Sequence, residues 1–356
     1  MKVRADSLCS CIVRVSVVIF VASAASTTLA AGVVGTGTAA SCTDAALNAA
    51  LAGGGLVTFN CGSDPVTIDI STGTGTKTIA ADTTIDGGGL ITISGGNHVR
   101  VFVNGVNLTV ENLTIANGRV PVNVNGGGIV NDGTLSVTNS TFISNSGDSG
   151  GAIASAGPLT ITNSTFFGNS GGAIYTYGGL AAMLRNTIVA NGNCIGSITD
   201  GGHNLDDGTS CGFSAANGSL SNTDPRLDPA GLQNHGGPTQ TVALLPDSPA
   251  INAGDQAICA AAPVSNRDQR GFGRPGAGHT NCSIGAYEAD AMPAEVCVGD
   301  CTTMDRVTVD ERVTGVNIAL GTATLDQCQR FDCNHDGHVT VDCLVQAVNH
   351  ALNGCG

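Results

Sequence analysis

The 356-residue sequence has no tryptophan, aromatic residues at 3% and charged residues at 12%. Large rings dominate the cores of most domains, so their scarcity points to a narrow interior filled by small aliphatic side chains. Positive charge is also thin. Beyond the first thirty residues the chain holds one lysine, Lys77, and overall 28 acidic residues face 14 basic ones. Nucleic acid and anionic membranes need clustered Lys and Arg, so this balance argues against both as partners. After residue 31 no run is long and apolar enough for a membrane helix. There is no Cys-x-x-Cys pair to support a thiolate metal site.

What is present begins with an export signature. Lys2 and Arg4 precede a short apolar run from Val15 to Ala25, and small residues follow to Ala31. Residues 1–31 therefore read as a signal peptide cut near Ala30 or Ala31, which places the mature chain outside the cell. Cys9 and Cys11 fall within that segment. The other twelve cysteines are Cys42, Cys61, Cys194, Cys211, Cys259, Cys282, Cys297, Cys301, Cys328, Cys333, Cys343 and Cys355. An even number in an oxidising compartment implies disulfides. The first three couples read as local staples. The last six crowd a segment too short to be well stabilised by its own core.

The body repeats one phrase: LTVENLTIANG from Leu108, LSVTNSTFISNSG from Leu135, LTITNSTFFGNSG from Leu159 and MLRNTIVANG from Met183. Its asparagines, Asn112, Asn139, Asn163 and Asn186, recur every 27, 24 and 23 positions. A second phrase interleaves with it at Gly126, Gly150 and Gly171. Such periods mark a solenoid whose units bury their apolar sides against one another. The units alternate Leu, Val or Ile with Ser or Thr at a period of two, so they are strands. Asn and Gly tolerate left-handed corners, and stacked Asn amides suggest a ladder along the axis. Less regular coils precede this stretch at Val66, Lys77 and Leu90. Before them, 43–51 reads as an amphipathic helix able to cap the open first coil.

The stretch from Ser41 through LTVENLTIANG resembles the bacterial right-handed parallel β-helix proteins of the pectin-lyase-like superfamily. The blocks QNHGGPTQTVALLPDSPAINAGD, RDQRGFGRPG and CSIGAYE are similar to the closing region of exported β-helix proteins of the choice-of-anchor type. The resemblance covers roughly 42–290. It implies a right-handed parallel β-helix but no one activity, because the superfamily holds lyases, hydrolases and adhesins.

Pectin-degrading hydrolases of this fold carry Asn-Thr-Asp, Asp-Asp, Gly-His-Gly and Arg-x-Lys in that order. Here Asn222-Thr223-Asp224, Asp206-Asp207 and Gly202-His203-Asn204 run in reverse, and no Arg-x-Lys exists. A lyase would need a base such as Lys77, Arg100, Arg119 or Arg185, with Arg100 placed to face outward near Asp82 or Asp86. No Ser/His/Asp set or His-x-x-x-His spacing stands out. We therefore assign no catalytic residue. Outward rows of Thr and Asn suit a glycan or a surface partner.

After a linker at 291–296, a loop-helix unit occurs twice in 297–356. The second loop places Asp332, Asn334, Asp336, His338 and Asp342 as ligands of an EF-type calcium loop with Cys343 at its last position. The first keeps Asp300 and Glu311 but has Thr302, Met304 and Asp305 in the central positions. This duplication resembles a dockerin module, which implies calcium and a cohesin-like partner. Calcium would bind weakly, and a Cys333–Cys343 disulfide would partly replace it as a loop clamp. The expectation is a mainly β, secreted right-handed β-helix with an N-terminal capping helix and a small EF-hand-like helical domain. Its leading function is non-catalytic binding; the alternative is a polysaccharide lyase or glycoside hydrolase.

Overall fold

The computed structural model describes residues 32–236, 239–291, 298–301, 307–333 and 338–353. Period-two strands joined by Asn and Gly corners wind into a parallel β-solenoid of about seven turns. Three faces result. The first holds Gly32–Val34, Gly55–Phe59, residues 83–86 and 107–111, Thr134–Thr138, Leu159–Thr162, Ala182–Arg185 and Ile198–Asp200. The second runs from Val66–Asp69 through 91–94 and 113–116 to Thr141–Ile143, Thr165–Phe167, Ile188–Ala190 and Leu205–Asp206. The third stacks Lys77–Ile79, Phe102–Asn104, Ile129–Asn131, Ile153–Ser155, Ile174–Thr176 and Cys194–Ile195. The first strand thus starts ahead of position 42.

In-register pairing turns the repeat into columns. Ile85, Val110, Val137, Ile161 and Leu184 stack inside the first face, all at most 1% exposed. Ile68, Ile93, Ile115, Phe142, Phe166 and Val189 do the same in the second. There the Phe142 and Phe166 rings stack at 4.8 Å. Each such side chain contributes about 1.5–3 kcal/mol when fully buried. The corner between these faces is made by Asn112, Asn139, Asn163 and Asn186, with φ of 55°, 45°, 47° and 46°. Asn tolerates that left-handed region better than other residues with a Cβ. The Gly-Gly phrases have a steric cause. A Cβ on Gly151 would lie 2.1 Å from the Ser170 carbonyl oxygen of the next coil.

Helix α1 (Asp44–Leu51) starts at Thr43, whose hydroxyl accepts from Ala46 N. It buries Leu47, Ala50 and Leu51 in the solenoid core and contacts the first two strands. Lys77, buried in the third face, pairs with the Asp44 carboxylate and bonds Thr74. Burial raises the Asp44 pKa, but the bonds from Lys77 and Thr74 outweigh it and hold the group below its ordinary value.

The segment after Leu220 lies lengthwise over the second face and closes a second apolar core. Ala116, Ile143, Ile188, Ala190 and Leu205 of the face meet Leu227, Val242, Leu244, Ala250 and Ile284 of the segment. The RDQRGFGRPG and CSIGAYE blocks form its polar lock. The Asp268 carboxylate accepts from Arg270, Phe272 N and Glu288 N; the Arg274 guanidinium donates to Glu288 and to the Ser283 and Gly285 carbonyls. Arg270 also lies 4.3 Å from the Phe272 ring centroid and 3.9 Å from that of Tyr287. Disulfides join Cys42–Cys61, Cys194–Cys211 and Cys259–Cys282.

Near the C-terminus, helices α3 (Val309–Ala319) and α4 (Val341–Asn353) pack around a fully buried Phe331. Thr308 and Glu311 form a reciprocal cap on α3. Disulfides link Cys301–Cys328 and Cys333–Cys343. Cys297 and Cys355 lie outside the described residues. No helix among the described residues is long and apolar enough to cross a membrane.

Candidate functional site

The first face keeps an open groove. Strand pairing aligns two outward rows along it. One is Thr84, Thr109, Ser136, Thr160, Met183 and Thr199; the other is Asp86, Glu111, Thr138, Thr162 and Arg185. Neighbouring rungs are about 4.8 Å apart. The side wall comes from short helix α2 (Gln256–Ala260) and the chain that follows it: Ile258, Ala261, Ala262, Pro263 and Val264. The cleft between wall and rows encloses about 400 Å³.

The Asn corner holds that wall in place. Asn186 exchanges hydrogen bonds with Asp255, donating at 3.1 Å and accepting at 2.8 Å. Asn163 Nδ2 donates to the Cys259 sulfur at 3.1 Å, and Asn139 Nδ2 to the Arg267 carbonyl at 3.1 Å. The one amide-to-amide contact of this column is Asn139 Nδ2 to Asn112 Oδ1 at 3.4 Å, among the described residues. The column therefore serves as a binding strip for the closing segment more than as a ladder. Tighter internal stacks occur elsewhere: Asn145 to Asn169 at 3.0 Å, and Asn104 to Asn131 at 2.6 Å. The repeat carries these asparagines at matching spacings too, so the same comparison of phrases could have found them.

Within the groove, Glu111 stands out chemically. Burial, and then the neighbouring Asp86 carboxylate, push it up to about 7. It makes no hydrogen bond or ion pair among the described residues. Asp86 Oδ1 accepts from Asn112 Nδ2 at 3.0 Å and Gly88 N at 2.9 Å. Thr138 is 6% exposed, and its hydroxyl lines the cleft with no protein partner among the described residues. Arg185, three rungs beyond Glu111, is exposed and has no carboxylate partner there.

Most of the other residues weighed as acids or bases are engaged within the fold. Asp206 points into the last coil, fully buried, and accepts from Gly208 N and Cys211 N. Asp207 accepts from Asn191 N, and Asp224 from Arg226 N. His203, at φ 53°, occupies the corner position of the Asn column and bonds the Ala253 carbonyl. Lys77 is sealed against Asp44. Arg100 does not pair with Asp82 or Asp86. It donates to the Gly126 and Asn125 carbonyls, while Asp82 accepts from Asn107. Arg119 is exposed at a corner. In the calcium-type loop, Asp332 is half-buried and His338 and Asp342 are exposed; Asn334 and Asp336 lie outside the described residues.

Both C-terminal helices expose an apolar seam. Val309, Val313, Val316 and Leu320 on α3 match Val341, Val345, Val348 and Leu352 on α4, each with spacings of four, three and four. Ile318 instead turns toward the module core. Compared with protein families, curated proteins and solved structures, the chain finds no match.

Proposed function

We propose that this is an exported β-solenoid that binds an extended glycan along the groove of its first face without cleaving it. The observation that carries this reading is the groove itself: a walled cleft floored by the hydroxyls of Thr109, Ser136, Thr138, Thr160 and Thr162 on three successive rungs. A polymer of hydroxylated rings meets such a floor through many modest hydrogen bonds rather than one deep pocket. Titration calorimetry with neutral, amino and acidic oligosaccharides tests it. Binding with no rise in reducing ends or unsaturated products is the expected result; a chain that binds none of them overturns it.

One observation favours a second reading as hydrolase or lyase. A carboxyl poised near neutrality beside another carboxylate is the usual arrangement of an acid and base pair. Turnover lost in Glu111→Gln would replace the first reading with this one.

The remaining parts fit the same proposal. Residues 1–31 act as the export signal, and the disulfides suit an oxidising compartment. The solenoid winds right-handed, and α1 caps its first coil. The 297–356 module is a worn dockerin-type attachment unit. Asp332, Asn334, Asp336, His338 and Asp342 hold calcium weakly there, and the twin apolar seams meet a cohesin-like partner. Calcium titration monitored by thermal unfolding of the chain tests the metal: a shift of only a few degrees is expected, and none at millimolar calcium removes it.

A further inference from the structure

The groove is not evenly polar along its length. Its two carboxyl groups, Asp86 and Glu111, sit on adjacent rungs at one end, and its one guanidinium, Arg185, lies three rungs past Glu111. At about 4.8 Å per rung that separation is roughly 14 Å. It exceeds the Debye length of about 8 Å at physiological salt, so Arg185 offsets the acidic end little. The facing wall, Ile258 and 261–264, contributes no titratable group.

The acidic end also contains hydrogen-bonding capacity that the protein leaves unused. Asp86 is steadied by Asn112 and Gly88 through one oxygen. Glu111 and the hydroxyl of the mostly buried Thr138, on the next rung, have no protein partner among the described residues. That hydroxyl opens onto the cleft, so water or a ligand in the groove completes it. A neutral sugar hydroxyl would satisfy Thr138 but leave two carboxyl groups crowded together. An ammonium group would satisfy Thr138 as a donor and neutralise the pair. The chain as a whole, at a formal net charge of −14, repels acidic polymers and draws cationic ones.

We infer that Asp86, Glu111 and Thr138 form a subsite for the ammonium group of an amino sugar, so that the groove prefers glycans with free amines. This rests on the glycan-binding reading of the groove and names its ligand class. Placing a cation beside Glu111 favours its ionised form, so binding near pH 6, where the unliganded carboxyl mostly holds its proton, releases that proton to solvent.

The test uses the full chain and a matched pair of probes, a glucosamine hexasaccharide and its fully N-acetylated counterpart, with a galacturonate hexasaccharide as the acidic control. Calorimetry at pH 6 in two buffers of different ionisation enthalpy gives affinity and proton count together. The expected result is about tenfold tighter binding of the free amine, a coupling of about 1.4 kcal/mol. Proton release should approach one per site. Glu111→Gln should abolish the release and most of the preference, and Asp86→Asn and Thr138→Val should each weaken the preference. Equal binding of both glucosamine probes, tighter galacturonate binding, or a preference that survives Glu111→Gln would overturn the subsite while leaving the groove as a glycan site. Failure of all three probes to bind would count against the groove reading itself.

Discussion

The first and second faces of the solenoid begin with the same chemistry and meet different fates. Each presents a row of outward hydroxyls: Thr84, Thr109, Ser136 and Thr160 on the first, Thr92, Thr114, Thr141 and Thr165 on the second. On the second, all four are at most 7% exposed, and three bond the closing segment through Gln269 and the Ala286 amide. On the first they line an open groove. The difference lies in the adjoining outward row. The second face sets Ala116, Ile143, Phe167 and Ala190 there, whereas the first sets Asp86, Glu111, Thr138, Thr162 and Arg185. An apolar row gains by recruiting a cover; a charged and hydroxylated row loses by it. One row per strand decides which face becomes core and which stays available to a ligand.

Breaking the cover should produce the largest effect. Arg274→Ala leaves Glu288 buried without its cation and should cost about 3–5 kcal/mol. Chemical denaturation would measure the loss, and binding of an apolar dye would report the uncovered second face. Groove binding should fall as well, because the same segment supplies the wall. Retained dye exclusion would show that the two faces do not depend on this lock. Next comes the Cys259–Cys282 clamp behind α2. Replacing both residues with serine should cost about 2–4 kcal/mol and weaken binding on the first face more than it disturbs the second.

Much of this architecture could be read in the sequence. The Asn and Gly-Gly periods gave the coil, because each residue type answers a local need at a fixed place: a left-handed corner or a close backbone approach. The faces could not be ranked that way. Thr at period two looks the same whether it meets water, as Thr160 does, or the Gln269 amide, as Thr141 does. That outcome depends on a segment more than a hundred residues downstream. Asp206 and His203 are of types that suggest chemistry, while their backbone positions make them an interior and a corner residue. Glu111 is not legible in the sequence because its environment is assembled from Asp86 on another coil and the distant wall at 258–264. In the helical segment the loop signature was plain. Its twin seams needed the burial of Glu311, Gly315 and Ala347 to show which helix face points inward.

A smaller prediction separates backbone from side-chain causes at the corner of the first face. Asn163→Ala forces an ordinary residue into φ 47° and should cost about 1–2 kcal/mol more than Asn163→Gly, since both lose the contact to Cys259 and only one resists the corner. Equal losses would assign the corner asparagine to its hydrogen bond instead.

The last effect is the smallest and carries a sign. Glu111 titrates from its ordinary 4.5 in the unfolded chain to about 7 in the folded one. Between those values the folded protein holds the extra proton, so stability falls as pH rises through the window and stays lower above it. Below 4.5 both states are protonated and the contribution vanishes. Because part of the side chain faces water, the penalty above pH 7 is about 1 kcal/mol rather than the full value of the shift. Urea unfolding of Glu111→Gln should therefore match the parent at pH 4 and exceed it by about 1 kcal/mol at pH 8. The covered part of the second face, from 92–94 to 188–190, carries no carboxyl in its outward rows and should contribute no comparable slope. A parent and variant that run parallel from pH 4 to pH 8 would mean that the groove leaves Glu111 fully solvated, and the contrast between the two faces would then rest on shape alone.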